Sequence, residues 1–420
     1  MDQPANAGSF DHVDWCRSAN IYEVNLRQYT PEGTFAAFEH HLPRLRAMGV
    51  HILWLMPIQP IGKKERKGTL GSYYSVADYV SVNPEFGTLA DFKRLVAAIH
   101  AAGMRVIIDW VANHTAWDHA WVALHPDWYQ QNAAGEIGSC EYFNGRETES
   151  WTDVLGLDYR QAALWPAMTE ALLYWVRECD IDGYRCDVAS LVPTPFWEQA
   201  RDALEAVKPV FMLAEASDPA LHRKAFDMTY DWELLDALLA SIQGKGAPTL
   251  LLQGWLERRQ AHYPADALRM SFTSNHDKNS WEGHDVERFG PAFQVCAVLA
   301  ATLPGMPLIY GGQEAVLDRR LAFFEKDAIA WKGCELAPFY AGLLKLKHEH
   351  PALWNGAAGG DTEVLASGSE AVFAFRRRRG DDSVTVLANL SAQAQTARVE
   401  GQAKALAPWS WHIEASTPRG

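Results

Sequence analysis

Three carboxylates each close an apolar run of this chain: Asp187 in DGYRCDVA, Glu215 in FMLAEA and Asp277 in FTSNHD. An earlier run, RVIIDWVANH, carries Asp109, Asn113 and His114. In a barrel of parallel strands the active site lies at the carboxyl ends of the strands. Polar residues placed where apolar strands stop therefore converge on one mouth. Two or three carboxylates meeting there are the equipment for cleaving a glycosidic bond. Strand alternation sends Arg185 and Asp187 to the same face and Cys186 to the other, toward the helix layer. An arginine beside an aspartate holds it ionised, as a nucleophile or an electrostatic stabiliser requires. A carboxyl at an apolar strand end, as at Glu215, can keep its proton near neutrality and act as a general acid. Each feature has a plainer reading when isolated. Arg-x-Asp is a common structural ion pair, and His276–Asp277 or Asp109 with His114 would equally suit a metal or a hydrogen-bonded core pair. The conjunction of four such segments in one alternating chain carries the argument.

The elements that position these residues alternate between strand and helix. Strand patterns run over NIYEVNL, VHILWLMPI and MRVIIDWV, with helical patterns over 34–49 and 88–103 between them. The second helix opens with Thr88 as N-cap and Asp91 three residues on, the arrangement of a capping box. After the third strand the alternation lapses over 111–158, a stretch rich in Trp, Asn, Gly, Asp and Glu that reads as a small projecting subdomain. It resumes with a helix over 160–178, IDGYRCDV, a helix and PVFMLAEA; FDMTYDW follows as a short strand, then helical segments, ALRMSFTSN, a helix over about 288–302 and MPLIYGGQE. Eight strands alternating with helices predict an α/β fold, a closed (β/α)₈ TIM barrel. The barrel is assigned to 1–110 and 159–355. Short strands parted by Gly, Asp and Ser over 356–420 predict a C-terminal antiparallel β-sandwich. The run Arg376–Arg379, followed by Gly-Asp-Asp, reads as a solvated hairpin edge.

Composition narrows the partners. The chain has 420 residues, 48% of them hydrophobic, and a net charge of −14. That balance argues against nucleic acid and anionic membranes and leaves a neutral substrate open. Without an apolar run long enough to span a bilayer, no membrane helix is expected. The acidic, polar N-terminus lacks the zones of a signal peptide. A cytoplasmic protein is expected, or a periplasmic or secreted one if a leader has been removed. Six dispersed cysteines read as reduced, mostly buried thiols. Asn113 and Asn389 open N-x-[ST] triplets, which read as unglycosylated without a secretory signal. Of the 17 tryptophans, Trp110, Trp117 and Trp281 are candidates for stacking on a sugar at the mouth.

The segments together resemble the α-amylase superfamily of glycoside hydrolases, family 13, over nearly the whole chain. DWVANH (109–114), GYRCDV (183–188), LAEA (213–216) and FTSNHD (272–277) resemble its four short regions in order. LGLDY (155–159) resembles the fifth, and SYYSVADYVSVNPEFGTLADF (72–92) the stretch after its second strand. The resemblance makes 111–158 the family's domain B and the terminal sandwich its domain C. It implies that Asp187 is the nucleophile, Glu215 the general acid/base and Asp277 the third carboxylate. It implies sugar contacts from Tyr74, His114, Arg185 and His276, and a supporting place for Asp109. Asn113 would be a calcium ligand, with oxygens drawn from Asp118, Asp127, Glu136, Glu141, Glu147, Glu149 and Asp153. Many members have Lys-His three and four residues after the nucleophile, where this chain has Ser190-Leu191. That departure and the short domain B weaken the calcium site, so no cofactor is expected to be required. The expected activity is retaining hydrolysis of α-glucosidic, mainly α-1,4, bonds in starch- or glycogen-derived glucans or maltooligosaccharides. The alternatives are an exo-α-glucosidase, an α-1,6-acting enzyme, an α-glucan transglycosylase and, remotely, a non-catalytic carbohydrate-binding or transporter-partner relative. Oligomeric state has no sequence signal.

Overall fold

The computed structural model describes residues 11–416, apart from Asn144 and Lys332. The N-terminal stretch on which the missing leader was argued lies mostly outside them. Eight parallel strands close into a barrel: β1 (Ile21–Val24), β2 (Ile52–Leu55), β3 (Arg105–Trp110), β7 (Gly183–Cys186), β8 (Phe211–Ala214), β9 (Met228–Tyr230), β10 (Leu268–Ser271) and β11 (Met306–Tyr310). The expected (β/α)₈ architecture is therefore present. Each strand is nearly wholly buried, as a parallel sheet covered by helices requires.

Local sequence explains where elements start and stop. The capping box at Thr88 and Asp91 opens the helix Leu89–Ala101. The pattern over 34–49 gives two helices rather than one, Phe35–Glu39 and Leu42–Met48. Pro43 has no N–H to donate to the Glu39 carbonyl, so a continuous ladder cannot pass it. The second helix ends at Gly49, whose φ of 93° suits glycine.

Between β3 and β7 a three-stranded antiparallel sheet projects from the barrel: β4 (His114–Ala116), β5 (Ser139–Phe143) and β6 (Thr148–Gly156), in the order β4-β6-β5. Its β4 begins at His114, so the sheet starts on a residue of the barrel mouth.

The C-terminal part has a four-stranded antiparallel sheet and a two-stranded one. The first orders β12 (Asp361–Leu365), β13 (Val372–Arg379), β14 (Asp382–Asn389) and β17 (Trp411–Ser416); the second pairs β15 (Gln395–Val399) with β16 (Gln402–Leu406). Val372, Ala374 and Leu387 meet Ala397 and Leu406 between the sheets. Phe373 and Phe375, on the opposite face of β13, join the barrel core.

The arginine run follows that alternation: Arg378 and Arg379 are exposed at the hairpin end as expected, but Arg377 is not. Arg376 pairs with Glu400, whereas Arg377 is buried and donates to the carbonyls of Leu353, Trp354 and Gly360 at 3.2 Å each. Nearby, buried Lys347 donates to the carbonyls of Gly305 (2.8 Å) and Leu353 (2.6 Å). Burial drives Lys347 well below the usual lysine range and Arg377 down to about 9. All six cysteines are free, and Cys186 is fully buried.

Candidate active site

The three carboxylates meet at the carboxyl-end mouth of the barrel. Asp187 follows β7 directly, Glu215 follows β8, and His276–Asp277 lie just past β10. Asp109 sits inside β3, and its register partner on β7 is Arg185. These two are therefore neighbours across adjacent strands, pointing inward together.

Arg185 is the hub. Its Nη1 donates to Asp109 Oδ1 at 3.0 Å and to Asp187 Oδ1 at 2.9 Å. Nη2 lies 3.0 Å from Glu215 Oε1, without the alignment of a hydrogen bond, and Nε donates to the Tyr230 hydroxyl at 3.1 Å. Burial opposes the charge on this guanidinium, but Asp109 and then Glu215 outweigh it and hold Arg185 well above its usual range. Glu215 is oriented by a backbone group instead: the Val188 N–H donates to its Oε2 at 2.8 Å. Val188 takes up φ 36° and ψ 46° to do so, a left-handed conformation rare for a β-branched residue.

A second chain of contacts crosses the mouth. Glu23, fully buried on β1, faces Nδ1 of His276 at 2.5 Å. His276 Nε2 lies 2.7 Å from the Tyr74 hydroxyl, which donates to Asp109 Oδ2 at 3.1 Å. Trp54 donates to the same oxygen at 3.1 Å. Burial alone would lower the His276 pKa, but the charges of Asp277 and Glu23 outweigh it and raise it to about 9. His276 is thus an imidazolium at neutral pH, and both its ring N–H groups donate. At His114 burial outweighs the charge of Asp153 and pushes the imidazole down to about 4, leaving it neutral. Burial likewise lifts Asp109 to about 6 against the pull of Arg185. Asp187 is pushed well above the carboxylate range by burial and then by the charge of Glu215, with Arg185 opposing both.

Tyr74, His114, Asp187, Glu215, His276 and Asp277 line one cleft of about 280 Å³. Arg185 and Asp109 lie beneath it, fully buried, and act through the groups they hold. Of the three tryptophans, Trp281 lines the cleft and is half exposed. Trp110 does not reach it. It is fully buried between Tyr79 and Tyr184, because the alternation that turns Asp109 inward turns its neighbour outward. Trp117 lies outside the cleft lining, with the Lys64 ammonium 4.5 Å from its ring centroid. The cleft also holds Lys67, Trp151, Phe323 and Phe324, which the sequence did not single out, and Asp153, which it offered only as a calcium oxygen. Glu23 was missed too, although a lone carboxylate inside the apolar run IYEV was a visible signal.

Asn113 is buried, and its side-chain nitrogen contacts His114 Nδ1 (3.2 Å) and the Cys140 thiol (3.7 Å). Among the described residues no three His, Cys, Asp or Glu side chains gather as a cation site. Asp118 instead accepts the Lys63 N–H, and Asp153 pairs with Lys67.

A family model of the α-amylase catalytic domain matches residues 11–335. The chain belongs to the α-amylase family. An α-amylase from Lactobacillus plantarum superposes with a TM-score of 0.84 at 31% identity, covering 96% of this chain and all of that one. A maltogenic α-amylase from Thermotoga neapolitana superposes with a TM-score of 0.79 at 28% identity, over 95% and 96% of the two chains. In sequence, the chain is 26% identical over 408 residues to an α-amylase of Haloarcula japonica, covering 92% of this chain and 57% of that protein. It is 30% identical to an α-1,4-glucan:maltose-1-phosphate maltosyltransferase of Rhodospirillum rubrum, covering 70% and 44%. The chain thus spans about half the length of the first curated relatives it matches. Asp187 and Glu215 of this chain are gathered on Arg185. Among the described residues no helix is long and apolar enough to cross a membrane.

Proposed function

We propose that this protein is a retaining glycoside hydrolase acting on α-glucosidic, mainly α-1,4, bonds in starch- or glycogen-derived glucans and maltooligosaccharides. The observation that carries the reading is the seating of Asp187 and Glu215 on one guanidinium, at 2.9 and 3.0 Å. Retaining enzymes need their two carboxyl groups about 5–5.5 Å apart, closer than inverting ones, which leave room for a water.

In the first step Glu215 gives its proton to the glycosidic oxygen while an Asp187 oxygen bonds to the anomeric carbon. The C1–O bond breaks and the leaving chain departs as an alcohol. A proton on Glu215 removes the repulsion it otherwise exerts on Asp187, and Arg185 then favours Asp187 as the anion. In the second step the Glu215 carboxylate takes a proton from water, whose oxygen attacks C1. The Asp187 ester breaks, and the sugar leaves with its original configuration. Asp277 hydrogen-bonds the sugar hydroxyls, the His276 imidazolium holds Asp277 and Tyr74 in place, and Tyr74 offers a ring face. No step uses a metal or cofactor. NMR in the first minutes of maltoheptaose hydrolysis tests the reading: the new reducing end is expected as the α-anomer, and a β-product overturns it.

Transfer to a second sugar is a second reading, favoured by the 30% identity with the maltosyltransferase of R. rubrum. It uses the same two steps with a sugar hydroxyl replacing water, and longer products in the same experiment would reveal it.

A further inference from the structure

The barrel order is β1-β2-β3-β7-β8-β9-β10-β11, so β1 stands four places from β8 in either direction. Glu215 follows β8, while the segments after β2 and β11 flank β1 and therefore rise on the opposite side of the mouth. They form a wall there. Leu70 donates its N–H to the Phe324 carbonyl (3.0 Å), and Thr69 donates to Glu325 (2.9 Å). Lys67 reaches over to the projecting sheet and pairs with Asp153 at 2.8 Å. Phe323 stands parallel to the Tyr74 ring, with centroids 6.2 Å apart. The wall is anchored from behind: Gln28 donates to the carbonyls of Ala322 (3.0 Å) and Glu325 (2.7 Å), and Lys326 donates to that of Thr30 (2.8 Å). It is a fixed partition.

The chemistry gives this partition a direction. Glu215 protonates the departing oxygen, so the leaving chain lies on its side of the mouth. The sugar taken by Asp187 extends the other way, toward Phe323, Phe324 and the Lys67–Asp153 pair. We propose that this pair reads the non-reducing end of the substrate, and that the enzyme removes mono- or disaccharide units from chain ends. An ammonium beside a carboxylate offers a donor and an acceptor to neighbouring free hydroxyls. In an internal stretch of glucan one of those hydroxyls is replaced by the next linkage, and the continuing chain would run into the wall. The cleft of about 280 Å³ lies at the small end of the roughly 300–1,000 Å³ range of small-molecule sites. This inference rests on the proposed glycosidase reading and adds the end from which chains are cut.

The experiment compares maltoheptaose with the same oligosaccharide blocked at its non-reducing end by a 4,6-O-ethylidene group, for the parent enzyme and Lys67→Met. The parent is expected to release glucose or maltose first from the free substrate and to cut the blocked one at least about a hundredfold more slowly, since a site built around hydroxyls rejects an analogue lacking them. Lys67→Met is expected to raise KM for the free substrate about tenfold, through loss of a charged hydrogen bond, with kcat little changed and discrimination against the blocked end reduced. Equal cleavage of both substrates by the parent overturns the inference and leaves the glycosidase reading standing. Unchanged KM and discrimination in Lys67→Met overturn the role of the pair. No cleavage of either substrate overturns the proposed function, and this inference with it.

Discussion

The backbone N–H of Val188 donates to Oε2 of Glu215 across 2.8 Å from a left-handed conformation at φ 36°. A β-branched residue held there stores strain on the order of 1–3 kcal/mol. The neighbouring guanidinium contact is charged but poorly aligned, so this N–H fixes which way the Glu215 carboxyl points. Glycine keeps the N–H and relieves the strain, while forfeiting a half-buried side chain. Val188→Gly is therefore expected to stay within about 1 kcal/mol of the parent in urea unfolding, with kcat within about tenfold. A loss of several kcal/mol would show that the conformation carries no strain.

Asp187→Asn is expected to lower kcat by about three orders of magnitude or more while the protein stays folded. The asparagine cannot form the covalent intermediate. Arg185 would still face Asp109 and Glu215, so its buried charge remains compensated. Activity near the parent level in a folded variant would remove Asp187 from the nucleophile's place.

His276 supplies a pH dependence whose sign can be worked out. Its pKa in the fold is about 9 against 6.5 for the free side chain. The folded state binds that proton more tightly, so the stabilisation is complete below pH 6.5 and is lost as pH rises toward 9. The same deprotonation removes a charged donor from the mouth, and kcat/KM is expected to fall on the alkaline side near pH 9. Glu23→Gln withdraws one of the two anions that raise His276 and should move that limb to lower pH. An alkaline limb unmoved in Glu23→Gln would detach it from this pair.

Chelation is expected to leave activity and melting temperature unchanged. Among the described residues no three His, Cys, Asp or Glu side chains gather as a cation site, and calcium takes six to eight oxygens. A fall in melting temperature on EDTA treatment, restored by calcium, would contradict this.

The barrel and its carboxylates were legible because both obey a period. Apolar runs alternate with helices, and Asp187, Glu215 and Asp277 stand where those runs stop. Period two also settles what was misplaced: Trp110 must face the helices if Asp109 faces the mouth, and Arg377 must face the barrel when Arg376 faces Glu400. The walls were not legible. Lys67, Phe323 and Phe324 stand outside regular elements, and the projecting sheet supplies Trp151 and Asp153. Nothing in local sequence says which of those side chains turn toward the cleft. Glu23 is intermediate, since its strand was assigned and its odd charge was passed over.

Arg377 ties the C-terminal sheets to the barrel by donating to the carbonyls of Leu303, Leu353, Trp354 and Gly360. Peeling those sheets away would strand a guanidinium and several carbonyls that now satisfy one another, and would bare Phe373 and Phe375. Partial detachment is therefore disfavoured at every stage. Heat should melt barrel and sheets together in one cooperative transition, and a chain truncated after the barrel should be a poor folder rather than a minimal enzyme.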